Sequence, residues 1–294
     1  MFGGDIEESV VAGVQRVGVI GSGQMGSGIV QVAAVSGFDV VLRSRNQATA
    51  EGTAAAVEKN LRRLVDKGKL EEGAAEAATA RITATENLHD LADCDLVIES
   101  VVEDMAIKKE LFNELDRIVA DGALLASNTS TLSITELAVQ TGRPAEVCGI
   151  HFFNPAPMMS LVEVVEGLTT APETAATAAE FARSCGKDPV LVKDRAGFIV
   201  NALLFPYLNH AVRLYERGVA SIDDIDTAMK GGCGFPMGPF QLLDLVGLDT
   251  SVAILDALYE DYHDPAMRPE PLLKRMLSAG RLGRKTGQGF HDYE

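Results

Sequence analysis

Residues 17–26 read Val17-Gly18-Val19-Ile20-Gly21-Ser22-Gly23-Gln24-Met25-Gly26. A short apolar run enters a Gly-x-Gly-x-x-Gly turn, and a helical pattern follows over 25–36. That order is the strand–turn–helix start of a dinucleotide-binding fold. Each glycine has a physical task. Gly21 permits the tight turn, Gly23 lets a pyrophosphate approach the backbone, and Gly26 lets helix and strand pack closely. The helix N-terminus then faces the phosphates with its unpaired N–H groups. Gly21, Gly23, Gln24, Met25 and Gly26 form the expected cofactor loop.

The pattern around this segment repeats its alternation. Apolar runs at 17–20, 40–42, 96–98, 124–126, 147–151 and 162–165 predict strands. Amphipathic stretches at 25–36, 48–65, 107–119 and 172–185 predict helices. Alternation of this kind implies an α/β fold, a Rossmann-type, mostly parallel sheet covered by helices. Several strands are near-continuous apolar runs, as buried parallel strands should be. The stretch 47–80 is rich in Ala, Glu and Lys, lacks Pro and is broken by Gly68 and Gly73. It predicts two antiparallel helices standing as an arm beside the sheet. Beyond Gly197 only helical patterns appear, with Ser221 as a helix cap followed by Asp223 and Asp224. The expected organisation is an N-terminal extension (1–15), a dinucleotide-binding domain with its arm (16–197) and an all-helical C-terminal domain (198–294).

Composition narrows the function. The chain has 294 residues and a net charge of −16, which argues against general nucleic-acid binding. No run reaches the ~20 apolar residues of a membrane helix. The N-terminus carries Asp5, Glu7 and Glu8 and lacks the basic start of a signal peptide, so a cytoplasmic location is expected. Cys94, Cys148, Cys185 and Cys233 lie far apart and are expected to be free thiols. The histidines show no metal-ligand spacing, so no metal is expected.

A dinucleotide fold of this kind expects an acidic residue at the end of strand two to hold the adenine ribose 2′-hydroxyl. Here the chain reads Leu42-Arg43-Ser44-Arg45-Asn46. Ser44 stands where the acid would be, and Arg45 follows. A carboxylate there repels a 2′-phosphate, whereas a serine and a guanidinium can bind one. NADP is therefore expected over NAD, with Ser44 and Arg45 as its contacts; Arg43 lies further back. Arg45 as a solvated surface charge is the competing reading.

Five further segments occur in order: Ala126-Ser127-Asn128-Thr129-Ser130, His151-Phe152-Phe153-Asn154-Pro155, Leu161-Val162-Glu163-Val164-Val165, Gly197-Phe198-Ile199-Val200-Asn201 and Gly283-Arg284-Lys285-Thr286-Gly287-Gln288-Gly289-Phe290. Together they resemble the L-3-hydroxyacyl-CoA dehydrogenase family, and particularly its bacterial 3-hydroxybutyryl-CoA dehydrogenases. The resemblance covers nearly the whole chain after the N-terminal extension. It implies an acyl-CoA substrate, a nicotinamide cofactor and a homodimer formed through the C-terminal domain. It implies that His151 is the acid–base group, that Glu163 positions it, and that Ser130 and Asn201 hydrogen-bond substrate oxygens. It places Glu103, Lys108, Asn154 and Lys285 around the cofactor, and Asn60 and Lys67 on the arm against coenzyme A. Two departures stand out: Ser44 replaces the usual aspartate, and Ser160 stands where many relatives carry lysine.

The residues support that chemistry on their own terms. Alcohol oxidation needs a base to take the hydroxyl proton while hydride leaves carbon. His151 ends a strand, at the sheet edge where ligands bind in such folds. Glu163 is a carboxylate among Val and Leu, costly unless it has a partner. A His–Glu pair removes that cost and orients the imidazole. Without Glu163, a satisfied core histidine would be the better reading of His151. Spacing alone also fits Ser130 as a helix cap and Asn201 as a helix-start residue. The competing functions are an NAD-dependent enzyme of broader chain length, a dehydrogenase of free hydroxy acids, and a non-catalytic dinucleotide-binding protein.

Overall fold

The computed structural model describes residues 13–293. Most of the expected N-terminal extension, residues 1–12, lies outside the described residues. The chain forms two units, the first ending at Asp194 and the second beginning at Arg195. The sequence reading put this boundary at 198. Arg195 Nε and Ala196 N donate to Asp261, which ties both residues to the helical unit.

The first unit is built on eight strands. They are β1 (Arg16–Ile20), β2 (Asp39–Arg43), β3 (Ile82–Thr85), β4 (Leu96–Glu99), β5 (Leu124–Ser127), β6 (Val147–Phe152), β7 (Leu161–Glu166) and β8 (Asp188–Lys193). They run in the order β3-β2-β1-β4-β5-β6-β7-β8. All neighbours are parallel except β6 and β7, which are antiparallel. The order reverses between β1 and β4, so their C-terminal ends form the switch-point crevice where ligands bind in such sheets. Val17, Val19, Leu96 and Ile98 have no exposed surface, as parallel strands covered on both faces require.

The helices of this unit are α1 (Gln24–Val35), α2 (Gln47–Asp66), α3 (Glu72–Ala80), α4 (Met105–Asp116), α5 (Ile134–Ala138) and α6 (Pro172–Ser184). Helix α2 starts where Asn46 Oδ1 accepts from Thr49 N at 2.8 Å. The expected arm is present as α2 and α3 but does not stand clear of the domain. Val57, Leu61, Ala75 and Ala78 are buried in one core cluster with Ile29 and Val30 of α1. The apolar face of α2 covers α1, and its charged residues face outward.

The second unit is helical: α7 (Val200–Glu216), α8 (Ile222–Cys233), α9 (Pro239–Val246), α10 (Leu248–Tyr262) and α11 (Pro271–Ser278). Among its described residues there is no strand, only the bridges Gly283↔Gln288 and Gln288↔Asp292. Its core gathers Phe205, Leu208, Phe240, Leu243 and Leu255. The chain end is held by a buried carboxylate. Asp244 accepts from Phe290 N (2.8 Å), His291 N (2.8 Å) and Tyr293 Oη (3.0 Å). Asp244→Ala would strand two backbone donors beside α9. A loss of about 1–3 kcal/mol for each unsatisfied buried group sets the scale. The expected outcome is a lower urea midpoint, together with faster proteolysis of the segment after Gly283.

Candidate active site

β6 and β7 bring the acid–base candidates together. In their antiparallel register His151 lies directly opposite Glu163. Directly opposed residues share a face and stand about 5 Å apart at Cβ, within reach of a side-chain bond. His151 Nδ1 lies 2.8 Å from Glu163 Oε2. Glu163 has no exposed surface and sits between Val162 and Val164, also fully buried. His151 is 6% exposed. The carboxylate thus holds the imidazole at Nδ1 and fixes its orientation. The Phe153 ring lies 4.5 Å from the imidazole, centroid to centroid, and packs against it.

The loop after β5 lies beside this pair. Asn128 Oδ1 accepts from Phe152 N at 2.8 Å and so ties the loop to the residue after His151. Ser130 is half-buried, and its backbone N–H donates to Glu103 Oε1 at 2.9 Å. The same oxygen accepts from Thr129 Oγ1 at 2.6 Å and from Thr131 N at 3.3 Å. Lys108, in the first turn of α4, is 1% exposed. Its Nζ lies 2.6 Å from Glu99 Oε1 and 3.4 Å from Glu103 Oε2. Burial works against ionisation of Glu103, but Lys108 and the bonds from Thr129 and Ser130 outweigh it. The carboxyl is held below the usual 4.5.

At the cofactor loop, Gly21 has φ +124°, and a Cβ there would meet Ser100 O at 2.2 Å. A Cβ on Gly26 would meet Gly21 O at 2.1 Å, so this glycine packs the helix against the turn itself. A Cβ on Gly23 would meet nothing within 4 Å, and an open cavity of about 380 Å³ lies beside it. Ser22, Gln24, Ser27, Thr49 and Thr53 are among its lining residues. Open space over exposed α1 backbone donors fits a pyrophosphate. Ser44 is buried, and its Oγ donates to Ser22 Oγ at 3.0 Å. Arg45 is exposed. Arg43 is turned away, its Nε donating to Glu86 O. Asn46 is committed to capping α2.

Asn154 is exposed after β6. Asn60, on α2, and Lys67, at the C-cap of α2, are exposed. In the second unit Asn201 is buried near the start of α7. Lys285 there binds both oxygens of Asp249 at 2.5 Å. The sequence reading gave no role to Glu99 or Asn128. Asn128 lay inside a quoted motif; Glu99, ending an apolar strand, carried the same signal that picked out Glu163.

A Rossmann-type sheet with an open glycine loop, and a buried His–Glu pair on its switch-point side, define a nicotinamide-dependent oxidoreductase. Residues 16–195 match the 3-hydroxyacyl-CoA dehydrogenase NAD binding domain, and residues 197–293 match the C-terminal domain of the same family. The chain is 49% identical to a 3-hydroxybutyryl-CoA dehydrogenase of Clostridioides difficile, over 95% of this chain and 99% of the relative. It is 48% identical to a probable 3-hydroxybutyryl-CoA dehydrogenase of Deinococcus radiodurans, over 95% and 100%. The crystal structure of a (S)-3-hydroxybutyryl-CoA dehydrogenase from Ralstonia eutropha superposes with a TM-score of 0.93 at 42% identity, covering 96% of this chain and 99% of that one. The chain belongs to the 3-hydroxyacyl-CoA dehydrogenase family and is an oxidoreductase.

The depressed pKa of Glu103 has a stability consequence. Its ionised form is favoured in the folded state, so its contribution is complete above 4.5 and fades as pH falls through the lower folded value. Urea midpoints between pH about 3 and pH about 6 should fall on the acid side in the wild type and fall less in Glu103→Gln. Parallel acid-side loss in both proteins would contradict this assignment.

Proposed function

We propose that the protein interconverts acetoacetyl-CoA and (S)-3-hydroxybutyryl-CoA, with NADP preferred over NAD. The observation that carries the chemistry is the 2.8 Å contact between His151 Nδ1 and Glu163 Oε2. The nicotinamide cofactor, when bound, supplies the hydride acceptor for oxidation and the donor for reduction. His151 Nε2 takes the proton of the 3-hydroxyl in oxidation and returns it in reduction. The imidazolium formed is stabilised by the Glu163 carboxylate across a dry interior, where a charge pair is worth far more than in water. Ser130 hydrogen-bonds the reacting oxygen's neighbourhood, with its loop held by Glu103. From the helical unit this reading takes Asn201 as a substrate ligand and Lys285 as a cofactor ligand. Asn154, Glu103 and Lys108 serve the cofactor side, and Asn60 and Lys67 on α2 meet coenzyme A.

A homodimer through the helical unit is part of the same reading. Leu203 is 71% exposed, and Ile199, Phe235 and Leu245 of the same unit are also exposed; apolar side chains left in water are what subunit contacts cover. The four cysteines are free and three are buried, which supports a reducing, cytoplasmic setting. The described residues contain no helix long and apolar enough to cross a membrane.

His151→Ala should lower kcat by roughly 10²–10⁴ while dinucleotide binding stays nearly intact. Glu163→Gln should also slow turnover, because it removes the negative partner of the imidazolium. Initial rates with acetoacetyl-CoA decide the point: a His151 variant that keeps most of its kcat would overturn the assignment. Comparing acetoacetyl-CoA with free acetoacetate tests the thioester requirement.

Cofactor choice turns on the end of β2. The exposed Arg45 guanidinium offers a 2′-phosphate a positive charge, and Ser44, whose hydroxyl donates to Ser22 Oγ, stands where a carboxylate would repel it. A charge-assisted hydrogen bond is worth about 1.5–3 kcal/mol, or one to two powers of ten in affinity. The wild type should therefore show higher kcat/KM with NADPH than with NADH. Ser44→Asp should reverse the order by repelling the phosphate and accepting from the ribose hydroxyls. Arg45→Ala should weaken NADPH and leave NADH nearly unchanged. Equal loss for both cofactors in Arg45→Ala would sink the claim.

A further inference from the structure

Glu99 takes no part in the proton transfer above, yet it is a carboxylate with no exposed surface at the C-terminal end of β4. Its register partners are Ile20 on β1 and Ser127 on β5. Both of its oxygens are engaged. Oε1 accepts from Lys108 Nζ and from Val101 N, each at 2.6 Å, and Oε2 accepts from Ser127 Oγ at 2.6 Å. The donors come from α4, from the turn after β4 and from the end of β5.

Two lines of contact run from this carboxylate to one loop. The first is direct: Ser127 binds Glu99, and Ser127 Oγ also accepts from Thr129 N at 3.2 Å. The second goes through charge: Lys108 Nζ spans Glu99 and Glu103. Glu103 then holds Thr129, Ser130 and Thr131. The loop 127–131 is therefore gripped at its root and at its tip by one network centred on Glu99 and Lys108. A buried ion pair is not needed for stability as such, because an apolar pair of similar volume often does as well. An apolar pair cannot hold the Ser127 hydroxyl or orient Glu103. Position is what the charged arrangement supplies.

We infer that Glu99 is a positioning residue for the acyl-CoA site, fixing through Ser127 and through the Lys108–Glu103 pair the loop that presents Ser130. The inference rests on the reading of Ser130 as a substrate ligand. Glu99 acts through its neighbours and touches neither substrate nor cofactor in this scheme.

Glu99→Gln keeps the shape and removes the charge; Ser127→Ala removes only the direct line and is the milder variant should the first fold poorly. Three quantities are read on each purified full-length protein: amide hydrogen exchange of the peptide spanning 127–132, the Kd of NADPH by fluorescence, and KM and kcat for acetoacetyl-CoA. Glu99→Gln should raise exchange in that peptide and lower kcat/KM by about tenfold and, because it also unpairs Lys108, should weaken NADPH binding as well. Ser127→Ala leaves the Glu99–Lys108 pair in place, and should raise exchange and lower kcat/KM by about threefold, mainly through KM, with the NADPH Kd within about twofold. Unchanged exchange in both variants would overturn the inference. So would a lowered melting temperature with kcat and KM intact, the signature of a merely structural role. A wild type inactive with acetoacetyl-CoA would instead remove the functional reading, and exchange alone would then decide whether Glu99 fixes the loop.

Discussion

A carboxylate buried in the middle of a sheet is costly unless a cation or several donors reach it, and Glu99 and Glu163 lie in this sheet with no exposed surface. Glu163 is answered by His151 and Glu99 by Lys108. Each pairing dictates local architecture. Glu163 needs His151 on the adjacent strand, on the same face and at the same level. The antiparallel β6–β7 step provides this across a connection of modest length, in a sheet that is otherwise parallel. Glu99 needs a long cationic side chain from above the strand ends, and the first turn of α4 delivers Lys108. Among the described residues, the one antiparallel pairing in the sheet thus coincides with the His151–Glu163 pair.

What the sequence made legible follows from signal strength. The glycine turn between β1 and α1 was readable because three backbone demands fall on fixed positions. The strands β1, β4 and β6 were readable because both faces are buried and their apolar runs are interrupted only by Arg16, Glu99 and His151. β3 and β8 were missed for opposite physical reasons. β3 is four residues long, ends in Thr-Ala-Thr and pairs only with β2. β8 begins Asp188-Pro189, exposes Leu191 and closes the far edge of the sheet, where a strand is specified by its neighbour more than by its own pattern. In the candidate site, the His151–Glu163 pairing was legible because a charge in an apolar strand asks for a partner. The same question put to Glu99 would have pointed to Lys108, nine residues on. Asn128 gave no such signal: its tie to Phe152 N exists only once β5 and β6 lie side by side.

An acidic protein that handles phosphorylated ligands must gain its attraction locally. With a net charge of −16, long-range electrostatics do not favour a polyanion. Short-range devices do. The N-terminus of α1 offers backbone N–H groups and has no acidic residue in its first turn. Arg63 in the last turn of α2 and Lys67 at its C-cap place cations at the C-terminal end, where they also answer the helix dipole. Within about a Debye length of such groups, the distant carboxylates are screened and the local field decides.

The stretch 99–103 is where these local devices meet. Glu99 begins it, bound to the β5 loop through Ser127. Ser100 follows, its carbonyl so close to Gly21 that no side chain fits between them, and its hydroxyl accepts from Asn128 Nδ2 at 3.3 Å. Val101 returns its N–H to Glu99. Glu103 ends it, gripping Thr129 to Thr131. One short segment after β4 therefore touches the cofactor loop on one side and the Ser130 loop on the other. A shift of this segment would move both together, because interiors packed at this density deform as units and not atom by atom. The order β1-β4-β5 makes that arrangement unavoidable: β4 is the strand between the glycine turn and the Ser130 loop, and its exit must serve both.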